Sequence, residues 1–238
     1  MRPLIPVLVL STLVSTAVAA EAAGAPPPVT GATPCAAILV DSSAAGELDH
    51  DLVCSGARRA AAFLRRHGIG LEHRIRLRLY DQPIENHAGH IGLFDPAENR
   101  IELLTFAEAR RLSASVPPFG LPMDQDLYTS YVAHETAHAI VSQHAGEQPP
   151  AWLAHEYIAY VVQLATMAEG LRAAVLGRYE IGAFADTDEI SGLYYALDPQ
   201  AFGVKAYRHF SALDDPATFL HGLLQGEVQL PDPQRDWW

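Results

Sequence analysis

Cysteine is scarce: the 238-residue chain has two, Cys35 and Cys54. A lone pair at that spacing lacks the partner ligands of a thiolate site, which excludes them from holding zinc. Positive charge is short as well. Lys and Arg number 16 against 28 Asp and Glu, a formal net charge of −12, and this excludes nucleic acid as a partner. The acidity speaks for solubility rather than for steering a substrate. Long apolar runs are missing except near the N-terminus, where residues 4–14 are interrupted by Pro6 and small hydroxyl residues. That run is too short to span a bilayer, and no basic stop-transfer flank follows it. No internal repeat is visible.

What stands at the N-terminus reads as a secretory signal peptide over residues 1–20. Arg2 supplies the positive n-region, residues 4–14 the apolar h-region, and Ala17-Val18-Ala19 a small-x-small cleavage site. No cysteine occupies the cleavage point, so a lipid anchor is not indicated, and no stable membrane anchor is expected after cleavage. Residues 21–34, rich in Ala, Pro and Gly, read as a disordered leader. Export to a secreted or periplasmic location makes an even pair of cysteines a disulfide, Cys35–Cys54. Closing a loop of about twenty residues is worth roughly 3 kcal/mol in chain entropy.

The rest is long enough for one domain with a substantial core. Residues 54–67 read as a helix with an arginine-rich exposed side, stopped by Gly68 and Gly70. Strict alternation over residues 74–80 marks a half-buried strand. Residues 90–94 and 100–104 read as two more strands, with Asp95-Pro96-Ala97-Glu98-Asn99 as the turn between them. A short helix at 106–113 and a proline-rich connector at 116–122 lead to a helix over 124–144, capped by Asp124 or Asp126 and ended by Gly146. After the Pro149-Pro150 break, a second long helix runs from 151 to about 176. Residues 177–188 are irregular, and helices follow at 188–197, 199–211 and 216–224; Asp198-Pro199 and Asp215-Pro216 each pair a cap with proline at the first helical position. The expected class is α+β: a small antiparallel or mixed sheet lobe over 35–115, then a mainly helical lobe over 120–228, together one catalytic domain.

Within the helix at 124–144 stands His134-Glu135-Thr136-Ala137-His138. Residues four apart share a helix face, so two imidazoles can converge on one point, as a tetrahedral zinc site requires. Glu135 lies about 100° round the helix, off the ligand axis and beside the open metal position, where a general base for water should stand. From the frequencies of His and Glu, chance supplies roughly 0.03 such matches in a chain of this length. The helix is also apolar at Leu127, Tyr131, Ala137, Ile140 and Val141, and a buried helix cannot leave two histidines and a glutamate unpaired without penalty.

A catalytic zinc site needs a third protein ligand. The next helix opens Trp152-Leu153-Ala154-His155-Glu156-Tyr157-Ile158-Ala159-Tyr160. With the preceding motif, this resembles the gluzincin-type zinc metallopeptidases, the thermolysin and aminopeptidase-like group of clan MA. Those carry a glutamate ligand on the helix after His-Glu-x-x-His, often within Trp-Leu-x-Glu-Gly-x-Ala-x-Tyr. Trp152-Leu153 and Glu156-x-x-Ala159 match parts of that pattern. One residue is inserted, so His155 falls where the register would put the glutamate, and Tyr157 replaces the glycine. Seventeen residues separate His138 from Glu156, one fewer than in the aminopeptidase type. The resemblance, which covers about 40 residues closely, implies Glu156 as third ligand, with His155 as the alternative. It also implies a zincin-like fold, one Zn²⁺, and an edge strand from the hairpin at 90–104 that holds an extended substrate. Tyr194, Tyr195, Tyr207 and His209 are the candidates to donate to a transition-state oxyanion.

The expected function is a secreted or periplasmic zinc metallopeptidase acting on a peptide or protein substrate, with Glu135 as base. The alternative is an exported binding or structural module on the same scaffold without catalysis. Hydrolysis of a non-peptide amide would use the same water-activation chemistry.

Overall fold

The fold is known from a computed structural model, which describes residues 33–35, 38–41, 46–87, 89–144 and 151–231. The signal peptide, most of the leader, Gly146 and Pro149-Pro150 lie outside the described residues. The class is α+β. A five-stranded sheet is formed by β1 (Thr33–Cys35), β2 (Ile38–Asp41), β3 (Ile75–Tyr80), β4 (Gly92–Asp95) and β5 (Arg100–Leu104), in the order β1-β2-β3-β5-β4. The inner strands β2, β3 and β5 run parallel, and the two edge strands β1 and β4 pair antiparallel to their neighbours. β3 alternates buried Ile75, Leu77 and Leu79 with exposed Arg76 and Arg78, as a strand with one face on a core must. The β4–β5 turn is shaped by Asp95, whose Oδ1 accepts from the amides of Ala97 (3.0 Å) and Glu98 (3.3 Å), and by Asn99 at φ 44°, a residue type that tolerates the left-handed region.

Helix α1 (Glu47–Arg66) starts seven residues before the expected position. Asp49 explains the earlier start: its Oδ2 accepts from the Gly46 amide at 3.2 Å and its Oδ1 from the Phe106 amide at 2.7 Å, so the first turn is capped and tied to a distant loop. β1 takes in Thr33 and Pro34, expected in the leader, and no sequence pattern marks β2; both are too short to show a period. α2 (Phe106–Leu112) and α3 (Gln125–Gln143) follow. α3 begins at Asp124, whose Oδ1 accepts from the Leu127 amide at 2.8 Å. It is buried nearly all round, and its internal hydroxyls bond back to carbonyls of the preceding turn: Thr129 to Gln125, Ser130 to Leu127 and Thr136 to Val132, each at 2.7 Å. Those bonds satisfy polar groups that water cannot reach.

The second long helix is two. α4 (Trp152–Thr166) ends at Met167 and Ala168, both extended, before α5 (Glu169–Gly177) begins. Neither proline nor glycine marks the break. Arg172 does the work of a cap there, its guanidinium donating to the carbonyls of Ala165 (3.3 Å) and Met167 (3.2 Å). The helix expected over 188–197 is likewise shorter: a 3-10 turn (Thr187–Glu189) precedes α6 (Gly192–Leu197). α7 (Pro199–Ala212) and α8 (Pro216–Gln225) start at the two Asp-Pro caps as read. One hydrophobic core runs from Cys35 to Leu230 through sheet and helices alike. α3 lies at its centre, packed on α1 and α4 and against β4 and β5.

Candidate metal centre

Facing turns of α3 and α4 bring together His134, His138 and Glu156. The Nε2 atoms of the two histidines are 3.1 Å apart. His134 Nε2 is 3.7 Å from Glu156 Oε2, and His138 Nε2 is 3.5 Å from Oε1. One ligand atom from each residue lies within 4.8 Å of the others. Ligands bonded to one tetrahedral ion at about 2.05 Å stand roughly 3.3 Å from each other, so the spacing suits a single small cation. The side chains are about a tenth exposed, His134 10%, His138 12% and Glu156 12%, which leaves the cluster reachable but mostly dry. Glu156 Oε2 is buried with no hydrogen-bond partner; a buried carboxylate oxygen left so is costly, and an ion would supply the missing contact. Two neutral imidazoles and a carboxylate are also a donor set for a metal of intermediate softness.

Burial governs the titration of the group. It pushes His134 down to about 4, partly opposed by a hydrogen bond to Gln163. It holds His138 well below its ordinary value, helped by His134 and His155. Both rings are therefore neutral at pH 7 and can offer lone pairs. Burial pushes Glu156 up to about 7, partly opposed by the nearby Tyr195 hydroxyl. Glu135 is pushed up to about 8 by burial and then by the nearby Glu156 charge.

His155 is not part of the converging group; its ring stacks on His138 with centroids 6.0 Å apart. Of the four candidate donors, Tyr195 alone is brought to the cluster. It lies close enough to Glu156 for each group to shift the other's pKa, and α6 holds it there through an edge contact with Trp152 at 5.3 Å between centroids. Tyr194 turns instead to Phe184 and Lys205. His209 accepts the Tyr157 hydroxyl or donates to it at 2.6 Å and packs on Phe219. Tyr207 packs against the hydrophobic core.

Three neighbours of the site are not marked by the motif. Gln163 Oε1 is 3.1 Å from His134 Nδ1. Tyr160 sets its ring edge-on to His134 at 4.7 Å. Tyr131 is close enough to Glu135 for that carboxylate to raise its hydroxyl pKa, after burial. A signal for the first two existed, since Glu156, Tyr160 and Gln163 are spaced i, i+4, i+7 and share one face of α4. From the other side, Gly92 of β4 lies so near Glu135 that a Cβ there would stand 2.9 Å from its Cγ and 2.7 Å from Leu103 Cδ1. The absent side chain lets the edge strand run directly beside the motif.

No curated protein matches the chain, and no solved structure does. A family profile matches residues 39–232, and the family is described as one of unknown function (DUF6639).

Proposed function

The chain belongs to DUF6639, a family of unknown function, and from its own residues we propose that it is an exported zinc-dependent hydrolase, most simply a peptidase. The observation that carries this reading is the convergence of His134, His138 and Glu156 from successive helices, with Glu135 on the same turn of α3 as the two histidines. The disulfide Cys35–Cys54 supports an oxidising, secreted or periplasmic location.

His134, His138 and Glu156 hold the Zn²⁺, which when bound supplies a Lewis acid that acidifies water and polarises a carbonyl. Glu135 is the base. A carboxyl raised by burial takes a proton from water more readily than an exposed one and returns it to the leaving amine at neutral pH. A cation among the three ligands draws that pKa back down from about 8. Tyr195, its pKa held above the ordinary tyrosine value by burial and by Glu156, keeps its proton and is the donor for a developing oxyanion. β4 has one paired and one unpaired side among the described residues. An extended peptide adds there by main-chain pairing, and Gly92 lets it pass close to Glu135.

The test is zinc stoichiometry together with digestion of a peptide library by the wild type and by Glu135→Gln. One zinc per chain in both, with cleavage reduced at least about 100-fold in the variant, is the expected result. A folded wild type that takes up no zinc, or a variant as fast as the wild type, overturns the reading. Zinc without cleavage in either protein favours a non-catalytic binding module.

A further inference from the structure

An imidazole ligates a metal only through a nitrogen that carries no hydrogen, so the site needs His134 to keep its proton on Nδ1. The surroundings of His134 dictate that choice through a chain of bonds that begins in the backbone. The carbonyl of Leu127 is an acceptor and nothing else. Ser130 Oγ stands 2.7 Å from it, a separation at which two oxygens must share a hydrogen. The single hydroxyl hydrogen of Ser130 is therefore committed to Leu127, and Oγ meets Gln163 as an acceptor. The amide nitrogen of Gln163 must face it, at 3.3 Å. That fixes the amide orientation and turns Oε1 to His134, 3.1 Å from Nδ1. A carbonyl oxygen can only accept, so Nδ1 must donate. Nε2, the atom that faces His138 and Glu156, is left with its lone pair.

The geometry points to Gln163 and Ser130 as positioning residues that preset the His134 tautomer for metal binding, through a relay from Leu127 O to Ser130 to Gln163 to His134. This rests on the reading of His134 as a metal ligand, but the tautomer itself is a property of the metal-free protein. All four participants are on α3 or α4, the two helices that carry the ligands, and Ser130, His134 and Gln163 are buried. The relay therefore locks the register of the two helices as well as the ring. Outer partners of this kind are worth about 10- to 100-fold in metal affinity.

Two measurements test the assignment. The first is a long-range ¹H–¹⁵N correlation spectrum of the chelated, metal-free wild type at pH 7, with His134 assigned by comparison with a His134 variant. The expected tautomer carries its hydrogen on Nδ1; a hydrogen on Nε2 overturns the relay. The second is competitive zinc titration of the wild type, Gln163→Leu, Gln163→Glu and Ser130→Ala, each shown to be folded by its circular dichroism melt. Gln163→Leu is expected to bind zinc about 10- to 100-fold more weakly. Gln163→Glu keeps an acceptor at Nδ1 and should bind at least as tightly as the wild type. Ser130→Ala frees the amide to rotate, so it should show a mixed tautomer and an intermediate affinity. Equal affinity in the wild type, Gln163→Leu and Ser130→Ala also overturns the relay. A wild type that takes up no zinc defeats the metal reading instead, and the spectrum still decides the tautomer.

Discussion

Neutral imidazoles and protonated carboxyls share this interior, and their opposite shifts set how the metal-free protein answers to pH. Burial holds His134 and His155 down at about 4, below the ordinary 6.5. Between those values the unfolded chain binds more protons, so stability rises with pH there. The carboxyls run the other way. Burial lifts Glu156 to about 7 and Glu135 to about 8, above the ordinary 4.5, so the folded state holds extra protons in that range and stability falls as pH rises through it. Above about pH 6.5 only the carboxyl effect remains. The chelated protein is expected to lose stability from about pH 6.5 to about pH 8, and saturating zinc to flatten the loss, because a cation beside both carboxyls lowers their pKa values. Urea midpoints with and without zinc check this; a chelated midpoint that keeps climbing over that range contradicts a protonated pair. His134, Glu135 and His138 were legible in the sequence because one helix fixes their relative positions. Glu156 was legible through its resemblance to a known helix opening. Gln163 and Tyr160 were legible only as sharing a face of α4 with Glu156; their roles, like that of Ser130, come from the way α4 lies on α3. The same applies in reverse to His209: its helix turns it to Tyr157 and away from the ligands.

At the scale of elements, what the sequence showed well was whatever a local rule enforces. Alternation gave β3, the Asp-Pro caps gave the starts of α7 and α8, and Asp124 gave the start of α3. What it hid was set by distant partners: Asp49 reaching to Phe106 lengthens α1, and Arg172 capping two carbonyls divides α4 from α5. Helix contacts at glycine are of the hidden kind too. Gly203 on α7 lies under the ring of Tyr160 on α4, where a Cβ would stand 2.2 Å from Cδ1. Gly203→Ala would gain about 1 kcal/mol of helix propensity. It would also drive a methyl group into a ring already packed on His134 and Phe202. Overpacking of that sort costs about 1–3 kcal/mol, with the upper part of the range expected where the neighbour is a confined aromatic ring. The clash therefore wins. Gly203→Ala should lower the urea midpoint by an amount equivalent to about 1–2 kcal/mol and weaken zinc binding, since the displaced ring presses on a ligand. A variant of wild-type stability and affinity would show that the two helices can separate without disturbing the ring.

At the scale of the whole molecule, the site belongs to a core that α3 shares with the sheet and with helices on both sides of it. That core continues across the proline-rich connector, since α1, which precedes it, packs on α3, which follows it. β1 is the shortest strand among the described residues. It pairs along three residues with β2, and the disulfide from Cys35 ties it to Cys54 in α1, a sequence separation of 19. Loop closure over that separation is worth about 3 kcal/mol in the chain-entropy account. For a chain of this size each kcal/mol moves the melting temperature by about 2–4 °C. Cys35→Ala/Cys54→Ala is therefore expected to melt about 6–12 °C lower than the oxidised wild type. His134, His138 and Glu156 sit on α3 and α4, whereas the disulfide joins β1 to α1, so zinc affinity at 25 °C should not change. Calorimetry and zinc titration on the same preparations separate the two effects. A fall in zinc affinity matching the fall in melting temperature would mean that the edge strand and the candidate metal centre unfold as one unit, and that oxidation of the cysteines governs the site as well as the scaffold.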